Sequence, residues 1–235
     1  GCSELMERHG EIGALSRVGA HKGQCAAGAE KSYHNDTVMC RLFRVSLTGI
    51  VPRVTTPDHE PDPWAMQLVL LRDKHHPARQ VDACEAAARA VVFLLDDPRT
   101  QPGGPWHDAV RQWSNKRIRK IVRRASGKRW DDVQVLDGVT ISQDPPPYAS
   151  PETGPARVRA FVPAPVHPQP KQIDKLQVAG TNLPADGDSA TTEPVVTIEI
   201  NPRIEMTTGK ACAQCGHAAQ LAHEAMSFGN DDDRH

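Results

Sequence analysis

The stretch MTTGKACAQCGHAAQLA, residues 206–222, decides how this chain is interpreted. It contains a Cys-x-x-Cys pair, a histidine two positions after the second cysteine, and a Gly-Lys pair just before the first. The stretch is rich in alanine and lacks proline, which predicts a helix of about 17 residues. VVTIEIN at 195–201 is typical of a strand. A strand that leads through a short loop into a helix predicts an α/β unit.

Several kinds of site use Cys-x-x-Cys or Gly-Lys. Each helical residue turns about 100°, so Cys215 and His217 stand about 160° apart and do not converge on one zinc ion. Covalent haem attachment requires the histidine directly after the second cysteine, and Gly216 intervenes. A phosphate loop needs Gly-x4-Gly-Lys-Ser/Thr, which Ile204 and Ala211 break. Zinc and a thioredoxin-like redox pair stay open, but the spacing favours neither over simple packing.

A helix over this stretch has two different faces. The small apolar face is suited to packing on a sheet, and it consists of Cys212, Cys215, Ala219 and Ala222. The more polar stripe consists of Lys210, Gln214, His217 and Leu221. Thr207 or Thr208 is expected to cap the helix, and its free N–H groups together with the lysine predict a local anion site.

The rest of the chain predicts a layered α/β fold. Strands are expected at 66–72, 131–142 and 156–164, and helices at 80–97, at 103–130 as one helix or a pair, and within 169–181. This alternation predicts a mixed β-sheet of about four strands flanked by helices. We expect four parts: an irregular, disordered extension at 1–61 with one strand-like piece at 39–54, an α/β unit at 62–183, a linker at 184–194, and a second unit at 195–235.

A degenerate internal repeat links the two units. DACEAAARA at 82–90 aligns with KACAQCGHA at 210–218, an offset of 128 positions. The same offset places the strand at 66–72 over 194–200. Agreement of a strand and a helix at one offset favours a duplication.

Composition limits the classes of function. The 235 residues carry a net charge of −1, so global charge does not indicate a nucleic-acid binder. The six cysteines follow no framework spacing, which favours reduced thiols. Neither a transmembrane run nor a secretory leader is evident, so we expect a cytoplasmic protein without a membrane partner.

Local charge and aromatic residues suggest a nucleic-acid surface. KRIRKIVRRASGKR at 116–129 is strongly basic and, if helical, presents a ridge that can follow phosphates. Trp106, Trp113 and Trp130 flank this stretch and are candidates for stacking on bases or for core packing. The histidine-rich loop at 74–79 is a further, weaker candidate for metal binding.

TTGKACAQCGHAAQLA resembles the signature helix of the Pth2-type peptidyl-tRNA hydrolases. In that family a strand and a short loop lead into Gly-Lys-x-Ala-Ala-Gln-Cys-Ser/Gly-His-Ala. The matching positions here are Gly209, Lys210, Ala213, Gln214, Cys215, Gly216, His217 and Ala218. Cys212 stands where the family usually has alanine. The likeness covers 195–235 well, and the earlier unit resembles a degenerate tandem copy, with Asp82, Ala86 and Arg89 at the Lys, Gln and His positions.

The resemblance implies hydrolysis of the ester that joins a peptide to tRNA, with no metal or other cofactor, in a family that is often dimeric. It implies catalytic roles for Lys210, Gln214 and His217. We expect tRNA to be bound by Thr208, Gly209, Arg119, Lys120, Arg123 and Arg124. The family's Asp and Thr partners are expected beyond residue 235, so the second unit is expected to be truncated and independent activity is in question. The alternatives are a non-catalytic tRNA- or RNA-binding protein and a gene-model fragment.

Overall fold

A computed structural model of the chain describes residues 12–15, 43–46, 63–185, 187–189, 191, 196–201 and 203–229. The strands are β1 Ile12–Leu15, β2 Phe43–Ser46, β3 Trp64–Leu71, β4 Lys120–Ala125, β5 Gly138–Gln143, β6 Ala156–Phe161, β7 Ala164–Pro165 and β8 Val196–Glu199. The helices are α1 Gln80–Leu95, α2 His107–Ser114, α3 Lys128–Val133, α4 Lys171–Asp174 and α5 Thr208–Gly229, with a 3₁₀ turn at Pro98–Thr100.

The larger sheet confirms the predicted α/β class with a mixed sheet. Its strand order is β4-β3-β6-β5, and the short β7 pairs with the start of β3. β4 runs parallel to β3, whereas β6 is antiparallel to both β3 and β5. β3 is the central strand and is buried on both faces, which explains its continuous apolar sequence.

Helices cover the two faces of this sheet. Met66, Leu68 and Leu70 of β3 point to one face and pack against α1 and α5. Val69 points to the other face, where Trp130 of α3 and Ile173 of α4 lie in a smaller apolar cluster. Alternate residues of one strand therefore supply two separate cores.

Helices α1 and α5 lie side by side and parallel, as contacts at both ends show. At their starts Gln80 meets Thr208, and near their ends Asp96 meets His223. A second sheet, of order β1-β8-β2 with both neighbours parallel to β8, lies beyond the helix pair. Val196 and Ile198 of β8 belong to the same apolar cluster as the two helices. The helix pair thus packs between two sheets.

Two sequence predictions need correction. The helix or helix pair expected at 103–130 is wrong in its middle, because α2 ends at Ser114 and Lys120–Ala125 forms β4. Lys120 and Val122 face α5 while Arg123 faces the opposite side, which is a strand period of two. Pairing with β3 overrides the helix propensity of the Lys and Arg residues. Similarly, the strand expected at 131–142 begins only at Gly138.

The outer parts of the chain are described only in pieces. β1 lies within the stretch predicted as irregular, β2 lies within the predicted strand-like piece, and the rest of 1–61 is outside the described residues. In the described part of the predicted linker, 184–194, regular secondary structure is absent. None of the helices built from described residues is both long enough and apolar enough to span a bilayer.

Candidate functional site

Helix α5 begins directly after the loop that follows β8, as the sequence predicts. The hydroxyl of Thr207 accepts a hydrogen bond of 3.4 Å from the backbone N–H of Lys210, so Thr207 is the capping residue. The Lys210 side chain is exposed in the first turn. An exposed ammonium beside the free N–H groups of a helix start is a favourable place for negative charge.

The two faces of α5 are oriented as predicted. Cys212 and Cys215 are buried at 1% and 0% exposure, and Cys84 of α1 packs against both. Lys210, Gln214 and His217 lie on the other stripe, where the lysine is exposed and the other two are half-buried. The thiols are packing groups between α1 and α5, and the polar stripe carries the accessible chemistry.

His217 meets a buried lysine that lies 97 positions earlier in the chain. Nζ of Lys120, in β4, lies 3.5 Å from Nδ1 of His217 and also donates a hydrogen bond to Oε1 of Gln220. Nε2 of Gln220 donates in turn to Glu224, at 2.8 Å. The Lys120 ammonium stands 4.8 Å from the centre of the Trp113 ring, a cation–π distance.

The close contact between Lys120 and helix α5 depends on the absence of a side chain at Gly216. A Cβ at that position would lie 3.1 Å from Cδ of Lys120 and 3.1 Å from Cγ2 of Val91. The small residues of α5 therefore allow β4 and α1 to close on the helix, and this closure brings Lys120 to His217.

Burial shifts the ionisation of both members of the pair. Removal from water lowers the pKa of Lys120 from 10.5 to about 7, although the Glu224 carboxylate acts in the opposite direction. Burial also lowers the pKa of His217 from 6.5 to about 4, and the neighbouring Lys120 ammonium lowers it further. At neutral pH the imidazole is uncharged and the lysine is close to its titration midpoint.

Gln220 and Glu224 were not among the residues predicted for the site. Their spacing was a usable signal, since Gln220 follows His217 by three positions and Glu224 follows Gln220 by four, which places all three on one side of a helix. The contact with Lys120 had no such local signal, because 97 positions separate it from His217.

The structure places the predicted tRNA-binding residues of the basic stretch in different surroundings. Lys120 is 7% exposed and faces α5. Arg123 donates to Gln67, Gln169 and the carbonyl of Leu176 on the opposite face. Arg124 donates to the carbonyl of Ala179 and to Gln177. The predicted helical ridge is therefore absent, and a half-buried Arg119 precedes the strand.

The residues predicted to bind tRNA at the start of α5 are buried. Thr208 is 0% exposed, and its hydroxyl accepts from the N–H of Leu183 while it donates to Gln80. Gly209 is also buried, next to Thr181 and Val122. Of the helix start, Lys210 is the part that reaches solvent with a charged group.

The flanking tryptophans belong to the interior. Trp106, Trp113 and Trp130 are 3%, 0% and 8% exposed, so their rings are not free to stack on bases. Of the two roles considered for these residues, the burial supports core packing.

The equivalent positions of the first unit carry different chemistry. Asp82, at the Lys210 position, is 0% exposed and forms a two-bond ion pair with Arg79, at 2.8 and 2.6 Å. Arg89, at the His217 position, donates a 2.7 Å hydrogen bond to Gln143. The stripe of α1 is therefore occupied by internal polar contacts.

In comparisons with protein-family models, with curated proteins and with solved structures, nothing matches this chain.

Proposed function

We propose that this chain is a peptidyl-tRNA hydrolase of the Pth2 type, acting through the polar stripe of α5. The observation that carries the proposal is the arrangement of Lys210, Gln214 and His217 on one stripe of a helix that follows a strand, with the intervening cysteines turned inward. This is the arrangement that the resemblance of residues 207–222 to the hydrolase signature implies.

The distances along the helix suit a substrate of nucleotide size. His217 follows Lys210 by seven positions, which corresponds to about 10 Å of helix axis. The flexible lysine side chain spans more than half of that distance, so the ammonium and the imidazole can contact one substrate at the same time. Gln214, between them, supplies an amide that can both donate and accept.

Each residue has a chemical role in ester hydrolysis. The Lys210 ammonium stabilises the negative charge that develops on the ester oxygen when water attacks, or binds a phosphate of the terminal nucleotide. Gln214 orients substrate or water by hydrogen bonds. His217 is a weak base at neutral pH because its pKa lies near 4, so its contribution is a hydrogen bond to the substrate.

The test is release of free tRNA from a purified peptidyl-tRNA by the full chain. Lys210→Ala is expected to lower kcat/KM at least about 100-fold, as for loss of one oxyanion-stabilising donor. Lys175→Ala, which removes another exposed lysine, is the matched control and should leave the rate unchanged.

Two outcomes would overturn the proposal. If the unmodified chain releases no tRNA but binds it with an affinity that falls steeply with salt, the chain is an RNA-binding protein instead. If Lys210→Ala and Lys175→Ala release tRNA at the same rate as the unmodified chain, the stripe of α5 is not the site.

A further inference from the structure

We propose that Lys120 is a positioning residue, which donates a hydrogen bond to Nδ1 of His217 and so presents the Nε2–H of that ring to the substrate ester. The inference rests on the proposed function, and it assigns a role to a residue of the first unit in the chemistry of the second. It also fixes which tautomer of the histidine is present.

The position of the Lys120 amine is set by groups other than the histidine. Its side chain is 7% exposed, its amine donates to Gln220, and the Trp113 ring lies 4.8 Å away. The Trp113 ring is itself fixed, because its Nε1–H donates a 3.0 Å hydrogen bond to the carbonyl of Arg119. The amine therefore cannot move away from His217 without losing these contacts.

The chemistry of the two groups then determines the direction of the hydrogen bond. The ammonium form of Lys120, which prevails below pH 7, has three donors and no acceptor, so the facing imidazole nitrogen, 3.5 Å away, has to accept. A neutral ring that accepts at Nδ1 carries its proton on Nε2. His217 is accordingly a donor on its outer side.

Nε2 of His217 is free to meet a substrate. Within the described residues it makes no hydrogen bond. Three buried polar atoms of those residues lack a hydrogen-bond partner: Arg159 Nε, Gln169 Nε2 and Thr181 Oγ1. Nε2 of His217 is not one of them. The half-buried ring thus has one nitrogen that faces Lys120, and we infer that a substrate reaches the other nitrogen.

The surrounding charges agree with a neutral donor. β4 contributes the Lys120 amine, and α1 contributes the uncharged Val91 beside Gly216. α5 contributes Glu224, which is linked to the Lys120 amine by hydrogen bonds through Gln220. The carboxylate therefore acts on the lysine rather than on the imidazole, and desolvation with the nearby ammonium keeps the ring uncharged. A neutral imidazole N–H can stabilise an oxyanion without taking or giving up a proton.

The direct test is the nitrogen chemical shifts of the histidine rings in the full, ¹⁵N-labelled chain at pH 6, with His217→Gln used to assign the signals. We expect an acceptor-type shift at Nδ1 of His217 and a protonated shift at Nε2. A proton on Nδ1, or a doubly protonated ring at this pH, would overturn the proposal, and this negative outcome needs no variant of Lys120.

A variant tests the role of Lys120 as distinct from its packing. Lys120→Met keeps an unbranched chain but removes the donor, and Lys175→Met, at an exposed lysine, is the matched control. In Lys120→Met we expect a mixture of tautomers, a higher pKa of His217 in an NMR titration, and kcat/KM lower by about tenfold to hundredfold. An unchanged tautomer and pKa of His217 in this variant would show that Lys120 does not position the ring.

The two proposals fail separately. If the spectrum shows Nε2–H on His217 and Lys120→Met changes the tautomer or the pKa of the ring, while the chain releases no tRNA, the positioning holds and the hydrolase assignment fails. If tRNA is released at the same rate by Lys120→Met and by the unmodified chain, the hydrolase assignment stands and the role of Lys120 is rejected.

Discussion

Gln80 and Thr208 stand 128 positions apart and meet at the starts of α1 and α5, where the threonine hydroxyl donates a 3.0 Å hydrogen bond to Oε1 of the glutamine. The offset is the one at which the two halves of the sequence align. Cys84 and Cys212, also 128 positions apart, are buried in the same apolar cluster further along these helices. Residues that the proposed internal repeat would make equivalent therefore lie close together on two neighbouring helices.

The close packing of α5 on β4 predicts different effects for its two glycines. Gly216→Ala introduces a Cβ 3.1 Å from Lys120 and Val91, whereas at Gly209 the nearest atoms would lie 3.8 Å away. We expect Gly216→Ala to lower the free energy of unfolding by at least about 1 kcal/mol relative to Gly209→Ala, because overpacking outweighs the gain in helix propensity. Urea unfolding of both variants measures this difference, and equal midpoints would contradict the close contact.

The pKa of Lys120 predicts how stability changes with pH. The folded chain holds this lysine at a pKa of about 7, below its ordinary 10.5, so between these values the unfolded chain binds more protons. The free energy of unfolding contributed by Lys120 therefore rises with pH from about 7 to about 10.5. It is lowest below pH 7, where the buried amine carries its charge.

Lys120→Met removes this dependence. Between pH 6 and pH 9.5 the unmodified chain should gain on the order of 3 kcal/mol of unfolding free energy through Lys120, and the variant should lack this gain. Urea denaturation at both pH values measures the change, with Lys128→Met as the exposed control. A difference that stays constant with pH would mean that the lysine titrates normally in the folded chain.

The buried ion pair at the start of α1 predicts a large loss of stability on its disruption. The side chains of Arg79 and Asp82 are 4% and 0% exposed. Asp82→Ala leaves the guanidinium buried without this carboxylate and should lower the free energy of unfolding by about 3 kcal/mol or more. Asp132→Ala, at an exposed position in α3, should change it by less than about 0.5 kcal/mol. Similar values for the two variants would refute a structural role for the pair.

The local parts of the site were predictable from sequence, and the long-range part was not. The 3.6-residue period of α5 is enough to separate Cys215 from Lys210 and His217, and the burial of the cysteine against the exposure of the lysine confirms that separation. The helix start was predicted as well, through Thr207. These features depend on neighbours within a few positions of the chain.

Lys120 shows why the remainder could not be predicted. Its stretch has the residues of a helix, and its strand conformation depends on pairing with β3, about 50 positions earlier. Its contact with His217 depends further on the packing of α5 across β4. The sequence suggested an exposed phosphate-binding lysine, whereas the structure buries it beside Trp113. Non-local strand pairing was the missing information.

The thiols between α1 and α5 predict slow chemical modification. The neighbouring Cys212 thiol and burial raise the pKa of Cys84 well above the ordinary value of a thiol, although Cys215 acts on it in the opposite direction. The Cys84 thiol and burial raise the pKa of Cys215 in the same way. Because the thiolate is the reactive form, we expect these two cysteines and the buried Cys212 to react with iodoacetamide at pH 8 at least about 100-fold more slowly than in the urea-unfolded chain. Labelling at each site is measured by mass spectrometry of peptides. Rapid labelling of Cys215 in the folded chain would place the thiols on the accessible face of α5, and it would favour a redox role for the Cys-x-x-Cys pair.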